Sequence, residues 1–130
     1  MKIAFIGSGA MAGAMIVGLL RENLAKPENL FASDTREERG EELREKYGVI
    51  PFTNNLSAIK NVDVVVLSIK PQRLSGVLEE LKGNIPADAL VLSIIAGATI
   101  EKIGTGLQHG KIVRTMPNTP ARIGEGITVW

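Results

Sequence analysis

Ile3-Ala4-Phe5-Ile6-Gly7-Ser8-Gly9-Ala10-Met11-Ala12 joins a short apolar run to a glycine-rich turn. Its first four residues form an apolar run of strand length, ended by glycine. Beyond Gly9 the apolar residues Met11, Met15, Ile16, Leu19 and Leu20 recur at helical spacing. A strand, a tight turn and a helix in that order make Gly7 to Ala12 the G-x-G-x-x-A form of the dinucleotide fingerprint. Gly7 makes the sharp turn, Gly9 lets backbone approach a pyrophosphate, and the N–H groups at the helix start face the anion. Gly7, Ser8, Gly9, Ala10, Met11 and Ala12 are therefore the first candidate cofactor-binding residues.

The alternation continues outward. Asn29 to Ser33 reads as a second strand, after which Asp34 or Thr35 can cap a charged helix running through Glu41, Glu42, Arg44 and Glu45. Val49 to Thr53 is a third strand, and Pro51 suits it to an edge. Val62 to Ile69 contains Val64-Val65-Val66-Leu67, the pattern of a parallel strand covered on both faces and expected near the centre of the sheet. Pro71 starts the next helix, where its missing N–H costs nothing, and Leu74, Val77, Leu78 and Leu81 are its buried stripe. Ala89 to Ile95 is a further strand, ended by Ala96-Gly97-Ala98-Thr99 and followed by a short helix. Lys111 to Met116 is the next strand, and Gly126 to Trp130 can form one more. The pattern predicts an α/β fold over 1–130: a doubly wound, mainly parallel sheet of Rossmann type with right-handed crossovers.

Composition narrows the function. A chain of 130 residues has the size of one domain. Lys+Arg 15 against Asp+Glu 14 leaves no field to draw nucleic acid or an anionic membrane, so neither is expected as a partner. Cysteine is absent, which excludes disulfides, thiolate nucleophiles and thiolate metal sites, and makes a reducing cytoplasm the simplest location. The run from Met1 to Ile6 is too short for a signal-peptide core, and no apolar stretch nears the ~20 residues of a membrane span. His109, the single histidine, lies in the turn-like Gln108-His109-Gly110 and is assigned a surface role. Hydrolytic and metal chemistry lack parts: there is no Ser/His/Asp set, no histidine cluster and no paired carboxylates. No catalytic side chain and no metal ligand is assigned.

The remaining candidates sit where ligands of open α/β sheets bind, at the C-terminal ends of strands. After the second strand, Asp34 is placed to read ribose hydroxyls as an NAD enzyme does, while Ser33, Thr35 and Arg36 can together meet the 2′-phosphate of NADP. Lys70 and Pro71 follow the central strand, and nothing in the sequence makes Lys70 a base. Ala96 and Gly97 end the next strand with minimal side chains, leaving room for a flat ring. Ser93, inside that strand, reads as a satisfied core hydroxyl.

Arg114-Thr115-Met116-Pro117-Asn118-Thr119-Pro120, taken with the glycine turn and Ile69-Lys70-Pro71-Gln72, resembles the nucleotide-binding half of the pyrroline-5-carboxylate reductases, across all 130 residues. The resemblance implies hydride transfer from NAD(P)H to the C=N bond of the cyclic imine 1-pyrroline-5-carboxylate, giving L-proline. It places Lys70-Pro71-Gln72 along the nicotinamide ribose and Met116 to Pro120 around the nicotinamide, with the Asn118 amide as a hydrogen-bond partner. Family sequences often carry Ser or Asn followed by Arg at the cofactor-selecting corner, and here Asp34 takes that Arg's place, so NADP(H) is only slightly preferred over NAD(H). Members of the family run to about twice this length. Their second, all-helical domain makes the homo-oligomer and most of the substrate site, and it is absent from this chain. The expectation is a fragment that binds cofactor and is inactive, or nearly so, alone. Two alternatives stand beside it. One is another NAD(P)-dependent oxidoreductase of the same group, such as a deazaflavin-dependent NADP reductase, against which the Met-Pro-Asn-Thr-Pro run argues. The other is a non-enzymatic nucleotide-sensing Rossmann domain.

Overall fold

Strands and helices alternate along the chain as the sequence dictates, in a computed structural model that describes residues 1–115. The elements are β1 (Ile3–Ile6), α1 (Ala10–Arg21), β2 (Leu30–Ser33), α2 (Glu37–Tyr47), β3 (Ile50–Phe52), α3 (Asn55–Ala58), β4 (Val64–Leu67), α4 (Leu74–Leu81), β5 (Leu90–Ser93), α5 (Ile100–Leu107) and β6 (Ile112–Arg114). Single 3-10 turns at Pro27–Asn29 and Pro71–Arg73 lead into β2 and α4. The expected strand at 126–130 lies outside the described residues.

All strand pairs are parallel, in the order β3-β2-β1-β4-β5-β6. The chain therefore builds outward from β1 in one direction, returns, and builds outward from β4 in the other. β1 and β4 lie side by side, with Ile6 opposite Leu67, and their C-terminal ends define the switch point where loops diverge to opposite faces.

Because successive side chains of a strand point to opposite faces, β1 feeds two cores. Ala4 and Ile6 join Val65, Leu67 and Val91 under α4 and α5, where Leu74, Val77, Leu78 and Leu81 form the stripe expected from the sequence, together with Ile103 and Leu107. Ile3 and Phe5 join Leu30, Ala32 and Val66 under α1 and α2, against Ala12, Met15, Ile16 and Leu43. Both faces of the sheet are dry, which is why β4 can be an unbroken apolar run. Truncating a fully buried residue such as Leu81 or Ile103 to Ala should cost about 2–5 kcal/mol. β3 lies at an edge of the sheet, as Pro51 requires.

Local chemistry departs from the sequence expectations at three points. Neither Asp34 nor Thr35 caps α2: its N-cap residue is Arg36, whose guanidinium has no acceptor for a helix N–H, and the Asp34 carboxylate accepts from the Ser8 and Arg36 N–H groups. The short helix α3 is additional, and it starts because the Asn54 side chain accepts the N–H groups of Leu56 and Ser57. His109 is half-buried rather than a surface group; its Nε2 lies 2.7 Å from the Ala89 carbonyl and ties the end of α5 to the start of β5. Ser93 meets its expectation, buried with its hydroxyl accepting the Ile95 N–H.

Candidate functional site

A cavity of about 480 Å³ opens at the switch point, and its lining includes Gly7, Ser8, Gly9, Ser33, Asp34, Arg36 and Lys70. These candidates come from three different loops, and the parallel register of β1 with β2 and β4 sets their strand ends level.

The glycine turn is held from every side. Gly7 has φ +94°, and a Cβ there would meet Ile69 Cγ2 at 2.7 Å and the Ser68 carbonyl oxygen at 2.9 Å, so both backbone conformation and crowding demand glycine. The Gly7 N–H donates to the Ser33 carbonyl, and the Ser68 hydroxyl donates to the Gly7 carbonyl at 2.6 Å. Ser8 is fully buried and its hydroxyl donates to the Ser33 carbonyl, so Ser8 meets the cavity with backbone. Gly9 is the contrast: a Cβ there would have no neighbour within 4 Å, which leaves an unobstructed approach to the backbone. Ala10 opens α1, whose first-turn N–H groups have no intrahelical acceptor. Met11 is partly buried, and Ala12 is buried against the sheet.

At the end of β2 the carboxylate of Asp34 accepts four hydrogen bonds: from the Ser8 N–H at 3.1 Å, the Arg36 N–H at 2.8 Å, Arg36 Nε at 2.9 Å and Arg36 Nη2 at 3.0 Å. Burial pushes its pKa up, but the Arg36 guanidinium and the backbone N–H groups of Arg36 and Ser8 outweigh burial and hold it at about 2. The same pairing raises the pKa of Arg36. The Asp34 side chain is 10% exposed, whereas that of Arg36 is 57% exposed, so the guanidinium keeps an open outer edge. Beneath this corner the Ser33 hydroxyl donates to Asn55 Oδ1 at 2.5 Å, and Asn55 Nδ2 donates to Glu80 Oε1 at 2.7 Å. That chain couples β2, α3 and α4.

Lys70 and Arg73 lie on the opposite wall, and neither is in an ion pair among the described residues. With Asp34 neutralised by Arg36, the balance of charge in the cavity is positive and suits a phosphorylated ligand. Pro71 begins the 3-10 turn ahead of α4, and Ala96 and Gly97 are exposed in the turn after β5; none of these three lines the cavity. Asn118 lies outside the described residues. Sequence reading missed Asn55, Ser68 and Arg73 as lining residues. The Asn54-Asn55 pair directly after a strand is a helix-start signal that could have placed Asn55 beside the β2 end. No group of acidic and histidine residues able to hold a metal occurs among the described residues, and no described helix is long and apolar enough to cross a membrane.

The cavity fits a dinucleotide on its own terms. It has a helix N-terminus for the pyrophosphate, backbone left open at Gly9, and polar side chains at the second strand end.

Comparison with known proteins agrees. A pyrroline-5-carboxylate reductase of Methanosarcina acetivorans is 38% identical over 125 residues, covering 95% of this chain and 46% of that protein. The structure of a pyrroline-5-carboxylate reductase from Coxiella burnetii superposes with TM-score 0.86 and 35% identity, covering 98% of this chain and 47% of that one. A Plasmodium falciparum pyrroline carboxylate reductase with NADP bound gives TM-score 0.82 and 25% identity, covering 99% of this chain and 46% of that one. The chain thus spans about half the length of the relatives it matches. The family model described as NADP oxidoreductase, coenzyme F420-dependent, matches residues 2–97, which include the glycine turn, the β2 corner and the β4 wall. By that match, on a fold and a cavity that agree with it, the chain belongs to this family of NADP-linked oxidoreductases.

Proposed function

We propose that this chain is the nucleotide-binding part of a pyrroline-5-carboxylate reductase, which reduces the C=N bond of 1-pyrroline-5-carboxylate to give L-proline. The observation that carries this reading is the switch-point cavity, with a crowded Gly7, an open Gly9 and a cofactor-selecting corner at Asp34 and Arg36. Similarity to reductases of that name along nearly the whole chain supports the choice of reaction.

In this reading the turn from Gly7 to Ala12 holds the pyrophosphate through the N–H groups that begin α1 and through the α1 dipole, since the Gly7 and Ser8 N–H groups are taken by Ser33 and Asp34. Ser33, Asp34 and Arg36 meet the adenosine ribose. Lys70, Pro71, Ala96, Gly97 and Asn118 border the nicotinamide half. When bound, the reduced nucleotide supplies the hydride that reaches the imine carbon. The chain's own part is to fix the nucleotide in a near-attack position and to keep one ring face clear, with no side chain assigned as base. The small residues Ala96 and Gly97, exposed after β5, suit that clearance.

NADP(H) is favoured slightly over NAD(H). The four hydrogen bonds onto Asp34 occupy the acceptor sites that ribose hydroxyls would need. Arg36 uses one edge on Asp34 and keeps the other for a 2′-phosphate, beside the Thr35 hydroxyl. The NADP bound in the Plasmodium relative supports the same preference. We place the enzyme in the cytoplasm, where a cysteine-free chain loses nothing, and take the whole protein to be a homo-oligomer with an imine as its small-molecule substrate.

Joining residues 1–130 to the C-terminal half of the Methanosarcina relative tests the reading. Imine-dependent NADPH oxidation is expected from the fusion, and little or none from the 130-residue chain alone. A folded, NADPH-binding fusion that does not reduce the imine would contradict the reductase assignment.

A further inference from the structure

Arg39, in the first turns of α2, points away from the helix it belongs to and across α1. Its Nε donates to the Ser8 carbonyl at 2.5 Å, its Nη2 donates to the Gly9 carbonyl at 3.2 Å, and its Nη1 pairs with Glu42. The guanidinium passes over Gly13, where a Cβ would lie 2.9 Å from Nη2. The side chain is 20% exposed and does not line the switch-point cavity; it belongs to a separate groove between α1 and α2.

A trans peptide unit points its C=O and N–H in opposite directions. Fixing the carbonyls of Ser8 and Gly9 against Arg39 therefore fixes the N–H groups of Gly9 and Ala10 on the far side, away from the guanidinium. Gly9 needs such a hold more than most residues, because no side chain anchors it and a Cβ there would find no neighbour. The Gly9 carbonyl also accepts the first α1 bond, from the Gly13 N–H at 3.0 Å, so Arg39 braces the turn and the helix start together.

We propose that Arg39 is a positioning residue for anion capture: acting through the Ser8 and Gly9 carbonyls, it aims the Gly9 and Ala10 N–H groups at a nucleotide pyrophosphate. Gly13 is then glycine to let the guanidinium pass. This rests on the nucleotide reading above but assigns a role to a side chain that touches no part of the ligand.

Amide NMR titration of the chain with NADPH tests it, comparing wild type with Arg39→Met, Arg39→Lys and Gly13→Ala. In wild type the Gly9 and Ala10 amides and the Asp34 to Arg36 amides should both shift on binding. Arg39→Met should weaken NADPH about tenfold, the scale of one lost charge-assisted hydrogen bond to a site. The loss should appear as reduced shifts at Gly9 and Ala10 while those at Asp34 to Arg36 persist, with partial recovery in Arg39→Lys. Gly13→Ala should give the same signature in a folded chain, since Ala favours the helix interior and only a flexible side-chain end must move. Unchanged affinity and unchanged Gly9 and Ala10 shifts in Arg39→Met would overturn the proposal, as would an even loss of shifts at both ends of the cavity. If wild type itself shows no shifts with NADPH, the nucleotide reading fails first and the inference falls with it.

Discussion

At the glycine-turn end of the cavity the structure is made by backbone and by space: a left-handed Gly7 wedged against Ser68 and Ile69, an open Gly9, and carbonyls held by Ser68 and Arg39. At the β2 end it is made by charged side chains that cancel, with Asp34 saturated by Ser8 and Arg36. The first arrangement admits few sequences and serves any dinucleotide, because a pyrophosphate offers the same oxygens in each. The second can be altered by one substitution without disturbing the fold, which is where discrimination between related cofactors belongs. Rigid capture and adjustable selection are thus separated along one cavity, and they meet at the Ser8 N–H, which donates to Asp34.

Gly7→Ala strikes hardest at the rigid end. With φ +94° and contacts of 2.7 and 2.9 Å onto Ile69 and the Ser68 backbone, it should cost about 3 kcal/mol or more, read by urea denaturation. A stable Gly7→Ala chain would show that the turn is not the rigid end. Gly9→Ala should do the converse: its stability should stay within about 1 kcal/mol of wild type, since nothing lies within 4 Å, while NADPH binding by calorimetry weakens about tenfold. Equal loss of both properties would erase the distinction between the two glycines.

Asp34→Asn should release Arg36 and tighten NADPH by about threefold to tenfold relative to NADH, at little cost in fold. A shift toward NADH instead would show that Asp34 serves NADPH by holding Arg36 in place for the 2′-phosphate, not by restraining it. The smallest effect is on acid stability. Because the folded-state pKa of Asp34, about 2, lies below its ordinary 3.8, the stabilisation it brings is complete above about pH 4 and is lost as pH falls toward 2. Melting temperature against pH should show that limb in wild type and a shallower one in Asp34→Asn.

The sheet was legible because its signals are local: β4's apolar run, the Leu74-Val77-Leu78-Leu81 stripe and Pro51 at an edge each carry one physical meaning. Gly7 and Gly9 were legible as a pair, although sequence alone could not tell the crowded glycine from the open one. Asp34 was offered, with Thr35, as a cap for α2 and also as a reader of ribose, because a short acidic side chain before a helix has two uses, and the choice depended on the Ser8 N–H, 26 positions away in sequence. Arg39 was invisible for the same reason. In a helix full of Glu and Arg it looks like surface charge, and only the packing of α2 over Gly13 brings it to the glycine turn. Signals carried by backbone conformation and periodicity survive in one dimension, whereas those carried by long side chains crossing between elements do not.

Calorimetric titration of the 130-residue chain with NADPH and then NADH decides whether the switch-point cavity takes a dinucleotide. Saturable binding of both at one site is expected, with NADPH the tighter of the two; heat from neither, by a folded chain, would contradict the assignment of the cavity as a nucleotide site.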